Sequence, residues 1–151
     1  MNYLDKPLSY FFLPPGRGES GGTVEDRGAT IQTPVVERIR KGLAFREFSA
    51  LQDLLKIPEE ALGKYLGISN ATLHRRKKDS TFSQAESERL VRFTRLFGIA
   101  LGVFGTEEAS RSWLKTENPG TAGETPLSYA DTEFGAREVE NLLGRIDHGI
   151  F

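Results

Sequence analysis

PEEALGKYLGISNATLHRRKK, residues 58–78, sets the reading of this chain. It scans as two short helices joined by a tight turn. Pro58 suits a first helical position, where its missing N–H and fixed φ cost nothing. Leu62 and Leu66 fall one turn apart, and Gly67 follows as a stop able to take positive φ. Ser69 can cap the next helix by accepting from a backbone N–H that has no helical partner. That second helix sends Leu73 inward and leaves Asn70, His74 and Arg75 on other faces. It ends in Arg75, Arg76, Lys77 and Lys78, and no acidic residue lies between Ala61 and Lys78. The layout is that of a helix-turn-helix, with Gly63 where the two helices cross most closely.

In such units the second helix enters the DNA major groove. Asn70 can pair with an adenine edge and an arginine with guanine. The trailing cations can neutralise phosphates, which supplies affinity without sequence preference. The competing reading is a core helical hairpin with a solvated basic end. Acid-free charge and turn chemistry on one element favour DNA.

The chain has 151 residues, the length of one ordinary domain or two small ones, and 38% of them are hydrophobic. A net charge of −1 hides a basic centre offset by an acidic C-terminal third, a balance that argues against general coating of nucleic acid. Without cysteine, disulfides and thiolate zinc sites are excluded too. No secretory signal or membrane span is legible, and a cytoplasmic protein is expected.

Outward to the N-terminus, residues 1–33 are punctuated by Pro14, Pro15, Gly16, Gly18, Gly21 and Gly22. That density leaves no room for a helix or long strand, and a mobile segment is expected. Tyr3, Leu4, Leu8, Tyr10, Phe11 and Phe12 are an apolar exception, destined for the domain's own surface or a partner's groove. The run GRGESGG at 16–22 lacks the ending and the strand–helix context of a phosphate loop. Pro34 opens the folded part, followed by Val35, Val36 and Ile39. Phe45, Phe48, Leu51, Leu54 and Leu55 then recur at helical spacing.

Beyond residue 78, Ser83 and Glu86 fit a capping box. The helix after them carries Leu90, Val91, Leu96 and Phe97 on one side, and Arg89, Arg92 and Arg95 on a face read as solvated. Thr106 with Glu107 and Glu108 starts another helix, and Trp113 reads as core. Asn118 to Gly123 make a turn, Pro126 begins a short helical piece, and Thr132 caps a last helix. Its apolar face is Ala136, Val139, Leu142, Leu143 and Ile146. Strand patterning is absent, so an all-α fold is expected.

Two blocks, LGISNATLHRRKKDSTFSQAESERLVRFTRL and SWLKTENPGTAGETPLSYADTEFGAREVENLLGRIDHGIF, resemble the antitoxins of RES–Xre toxin–antitoxin pairs in the Xre/MbcA/ParS group. The resemblance covers residues 40–151 and implies a bipartite protein. A Cro-like helix-turn-helix domain, 34–104, would repress its own promoter. A small helical domain, 105–151, would bind a RES-type toxin that depletes NAD and occlude its active site. Ser69, Asn70, Thr72, His74 and Arg75 then fall at recognition positions, with Arg76, Lys77 and Lys78 behind them. Many Cro-like domains carry an aromatic where this chain has Arg76. Arg137, Glu138, Glu140 and Arg145 lie in the toxin-binding block, which runs on through Asp147 and His148. The apolar tip Ile150–Phe151, following a glycine, reads as a plug for the toxin's pocket. A homodimer is expected, because helix-turn-helix domains read paired half-sites.

Catalysis has little support: His74 and His148 are the two histidines, and no nucleophile–base pair is legible. No cofactor and no metal are expected. The second reading is a dimeric DNA-binding repressor whose C-terminal domain dimerises and meets no toxin.

Overall fold

A computed structural model describes residues 6–14 and 34–149. The fold is all-α. Among the described residues the single β feature is an isolated bridge between Ala44 and Thr81. The helices are α1 (Leu8–Phe12), α2 (34–41), α3 (Phe45–Leu55), α4 (Glu59–Tyr65), α5 (Asn70–Asp79), α6 (Gln84–Phe104), α7 (Glu107–Leu114), α8 (Pro126–Tyr129) and α9 (Glu133–Asp147). A 3₁₀ turn, Pro119–Thr121, sits between α7 and α8.

The long α6 is the centre of the fold. Its Leu90, Phe93, Leu96, Phe97 and Ala100 are buried. Onto it pack α1, α3, α7 and α9, bringing Leu8 and Phe11, Phe48 and Leu51, Leu114, and Ala136, Val139 and Leu143 into the same core. Its start is the capping box expected, with Ser83 Oγ accepting from Glu86 N–H and the Glu86 carboxylate accepting from Ser83 N–H.

Three expectations change. The breaker-rich segment 1–33 does contain a helix. α1 occupies the gap between Pro7 and Pro14 and is buried through Leu8 and Phe11. A buried pair, Arg38 and Glu47 at 2.9 Å, receives it: Glu47 accepts from Leu8 N–H at 3.2 Å and Arg38 donates to the Lys6 carbonyl at 2.6 Å. Each of these buried charges thus has both an ionic partner and a backbone partner, which is what makes its burial tolerable. Gly98 of α6 lets α1 lie this close, since a Cβ there would collide with the Phe12 carbonyl. The phosphate-loop-like run at 16–22 lies outside the described residues. Trp113 is half-buried against Phe104, with ring centroids 5.6 Å apart, and Leu114 beside it is the core residue.

Arg89, Arg92 and Arg95 do not form a solvated face. Arg89 donates to the Leu66 carbonyl at 3.1 Å. Arg92 donates to Glu133 and to the Asp131 carbonyl, both at 3.1 Å. Arg95 donates to Glu140 at 2.6 Å. Their guanidinium forks fasten α6 to the end of α4 on one side and to α9 on the other.

Candidate functional site

The α4–α5 unit owes its shape to a few local residues. Pro58 is the N-cap of α4, in extended conformation, rather than its first helical residue. At the other end Gly67 takes φ +67°, its N–H bonds to the Lys64 carbonyl, and Ile68 N–H reaches back to Gly63 O at 2.8 Å. This is the paired bonding that ends a helix with a left-handed residue and turns the chain sharply. Ser69 then caps α5, its hydroxyl accepting from Thr72 N–H at 3.2 Å. Leu73 is the buried residue of α5, and its Cδ1 lies 2.6 Å from where a Gly63 Cβ would stand. One inward leucine against one glycine sets how closely the helices cross.

The rest of α5 faces outward. Asn70, His74, Arg75 and Lys78 are exposed. Thr72 is half-buried; its hydroxyl accepts from Ser69 at 3.0 Å and from Arg75 at 3.4 Å. Asn70 and His74 border a hollow of about 190 Å³ that also takes in Glu59, Glu60, Leu73 and Lys77.

Two members of the cationic run are engaged internally. Arg76 is turned to α6, where Nε donates to Glu86 at 2.8 Å and Nη2 at 3.4 Å. Burial pushes the Glu86 carboxyl up, but the Ser83 N–H and the Arg76 guanidinium outweigh it and hold the group below its ordinary value. Arg76 therefore ties α5 to the start of α6. Lys77 meets Glu59 of α4 at 2.7 Å and lies 5.8 Å from the Phe45 ring centroid. Sequence reading missed both acids as partners, because Glu59 and Lys77 are eighteen positions apart and no local spacing links them.

The C-terminal helices present a different face. Thr132 caps α9 as expected, and Thr106 and Thr125, read only as helix starts, also cap theirs. Of the residues assigned to a partner, Arg137, Arg145, Asp147 and His148 are exposed and Glu138 is half-buried. Glu140 is held by Arg95. Ile150 and Phe151, the expected plug, lie outside the described residues. Sequence reading passed over Phe134, which is 76% exposed. It stands three, four and eleven residues before Arg137, Glu138 and Arg145, on their face of α9. The signal was present: Phe134 is out of phase with Ala136, Val139 and Leu143.

A family model described as the antitoxin Xre-like helix-turn-helix domain matches residues 34–95. A second, described as the antitoxin Xre/MbcA/ParS C-terminal toxin-binding domain, matches residues 100–149. A protein named antitoxin Xre from Yersinia enterocolitica is 33% identical over 121 residues, which are 79% of this chain and 82% of that protein. Another of that name from Photorhabdus laumondii is 43% identical over 70 residues, 46% of this chain and 47% of its own length. A third, from Pseudomonas putida, is 31% identical over 73 residues, or 48% and 46%.

Proposed function

This chain belongs to the Xre antitoxin family, and from that premise we propose that it is a type II antitoxin that represses its own operon and neutralises a RES-type toxin. Residues 34–104 bind promoter DNA. Residues 105–151 seat the toxin and close off the site where it depletes NAD. The chain works in the cytoplasm as a homodimer on paired half-sites, without cofactor or catalysis of its own.

The observation that carries the DNA half is the make-up of α5. It has one inward leucine, a hydroxyl cap, and Asn70, His74, Arg75 and Lys78 all exposed on a helix without an acidic residue before Asp79. Asn70 and Arg75 have the donor–acceptor pairs that discriminate adenine and guanine edges. Lys78 supplies phosphate attraction. On the other half, the partner face is the outer side of α9, with Arg137, Glu138 and Arg145 as polar contacts. Glu140 acts indirectly through Arg95.

The test is co-expression with a RES-domain toxin together with promoter binding across a salt series. The expected results are growth rescue, a stable complex, and an affinity that falls steeply with salt. Replacing Arg75, Lys77 and Lys78 by Ala flattens the slope by about one unit for each phosphate no longer neutralised, with rescue intact. An unaltered slope removes α5 from the interface. Absence of rescue and of a complex removes the RES-type toxin.

A further inference from the structure

We infer that Glu59 is a specificity-determining residue, whose carboxylate holds Lys77 in an internal ion pair and so weakens binding to DNA that offers only phosphates. The inference rests on α5 being the DNA-reading helix.

The four cations at the end of α5 are unequal. Arg76 is committed to Glu86 in the core-facing side of the helix. Lys77 is committed to Glu59, but in a different setting. The pair is 2.7 Å long, with Lys77 half exposed and Glu59 one-third exposed. An ion pair this open to water contributes little to stability, so a phosphate can compete for the ammonium. Glu59 opens α4, the helix that lies across the backbone in such units. Glu60 follows it, and both border the hollow shared by Asn70 and His74. Two carboxylates thus stand on the face where phosphates would approach. Their position beside a helix start suits the helix dipole, yet Lys77 lies within reach only because the Gly67 turn brings α5 back against α4.

The effect on DNA follows from what each kind of binding uses. Non-specific binding comes from phosphate neutralisation, and each phosphate contact adds close to one unit to the salt exponent. A lysine already neutralised by Glu59 adds less, and the carboxylate itself repels the strand. Base contacts from Asn70 and Arg75 draw on hydrogen bonds that Glu59 does not touch. Glu59 thereby lowers the sequence-independent part of the affinity more than the sequence-dependent part. What it raises is the ratio between them, the quantity that decides occupancy among many competing sites.

The experiment uses the full chain, a duplex from its own promoter region and a scrambled duplex of the same composition, with affinity followed across a salt series. Glu59→Gln should tighten binding to the scrambled duplex by about three- to tenfold at low salt and steepen its slope by about one unit. The promoter duplex gains less, so the specificity ratio falls. Glu59→Asp, which keeps the charge, should bind near wild type. Lys77→Ala should change scrambled-duplex binding little in the wild-type background and strongly beside Glu59→Gln. A residue serving only the start of α4 would move the melting temperature and leave the slope alone. Salt-dependent binding by the wild type with an unchanged Glu59→Gln variant overturns this inference alone. A wild type with no salt-dependent binding to either duplex overturns the DNA reading of α5 and the inference with it.

Discussion

α5 and α9 start alike and are held in opposite ways. Each begins with a hydroxyl cap: Ser69 accepts from Thr72 N–H, and Thr132 from Gly135 N–H. Thereafter α5 buries Leu73 alone of its ten residues, whereas α9 buries Gly135, Ala136, Val139 and Leu143 of its fifteen. α5 compensates with directed polar bonds, chiefly Arg76 to Glu86, and keeps most of its surface free. α9 is seated by apolar contact and by the arginines of α6. In the DNA reading proposed for α5, surface that enters a groove is kept off the protein's own core, and a cap and an ion pair stand in for burial.

The largest test of this contrast falls on α9. A Cβ at Gly135 would collide with the Tyr129 carbonyl at the end of α8, a backbone atom that cannot move aside. Gly135→Val should cost about 3 kcal/mol or more. Thermal melting would register the loss, and hydrogen exchange should show amides of α8 and α9 opening while those of α4 and α5 stay protected. Equal opening of all four helices would mean that α5 depends on the same packing after all.

A smaller effect is expected where α5 is fastened. Glu86→Gln leaves Arg76 part-buried without its charge partner and weakens the cap of α6, a loss of about 1–3 kcal/mol. Because the Glu86 carboxyl titrates below its ordinary value of 4.5 when folded, the pair's contribution is complete above that pH. It is lost as pH falls through the folded value. Melting temperatures of wild type and Glu86→Gln should therefore lie apart at neutral pH and converge in acid. A constant gap would assign the loss to packing instead.

Smallest is Arg95→Ala. Arg95 reaches Glu140 at 2.6 Å and Glu133 at 3.5 Å, but its side chain is about one-third exposed. Pairs in such settings contribute about 0.2–1 kcal/mol. A shift in melting much beyond that range would show that α9 also leans on directed polar bonds, and the contrast with α5 would narrow.

What the sequence made legible was whatever neighbours in the chain decide. Ser69 and Thr132 cap residues three positions on. The Ser83–Glu86 box and the Gly67 turn are equally local, and the inward period of α9 follows from one helix. What stayed hidden joins distant positions. Arg76 and Glu86 are ten apart, Arg95 and Glu140 forty-five, and α1 meets Glu47 across thirty-nine. At five residues α1 is also too short for a period to form, so the prolines around it outweighed its aromatic core. At the candidate DNA face, outward residues were readable from phase. Which cations are already spoken for was not, because that depends on how α4 and α6 fold back.

α6 has a further consequence. Twenty-one residues make a rod of about 32 Å, gripped by Arg89 at the carbonyl of Leu66 and by Arg92 and Arg95 at α9. The two faces of the protein are thereby mounted on one strut rather than strung on a tether. In the proposed assignment, cargo docked on the outer side of α9 would ride at a set bearing from a duplex under α5. Steric crowding between neighbours on an operator would then be governed by rigid geometry, not by slack in the chain.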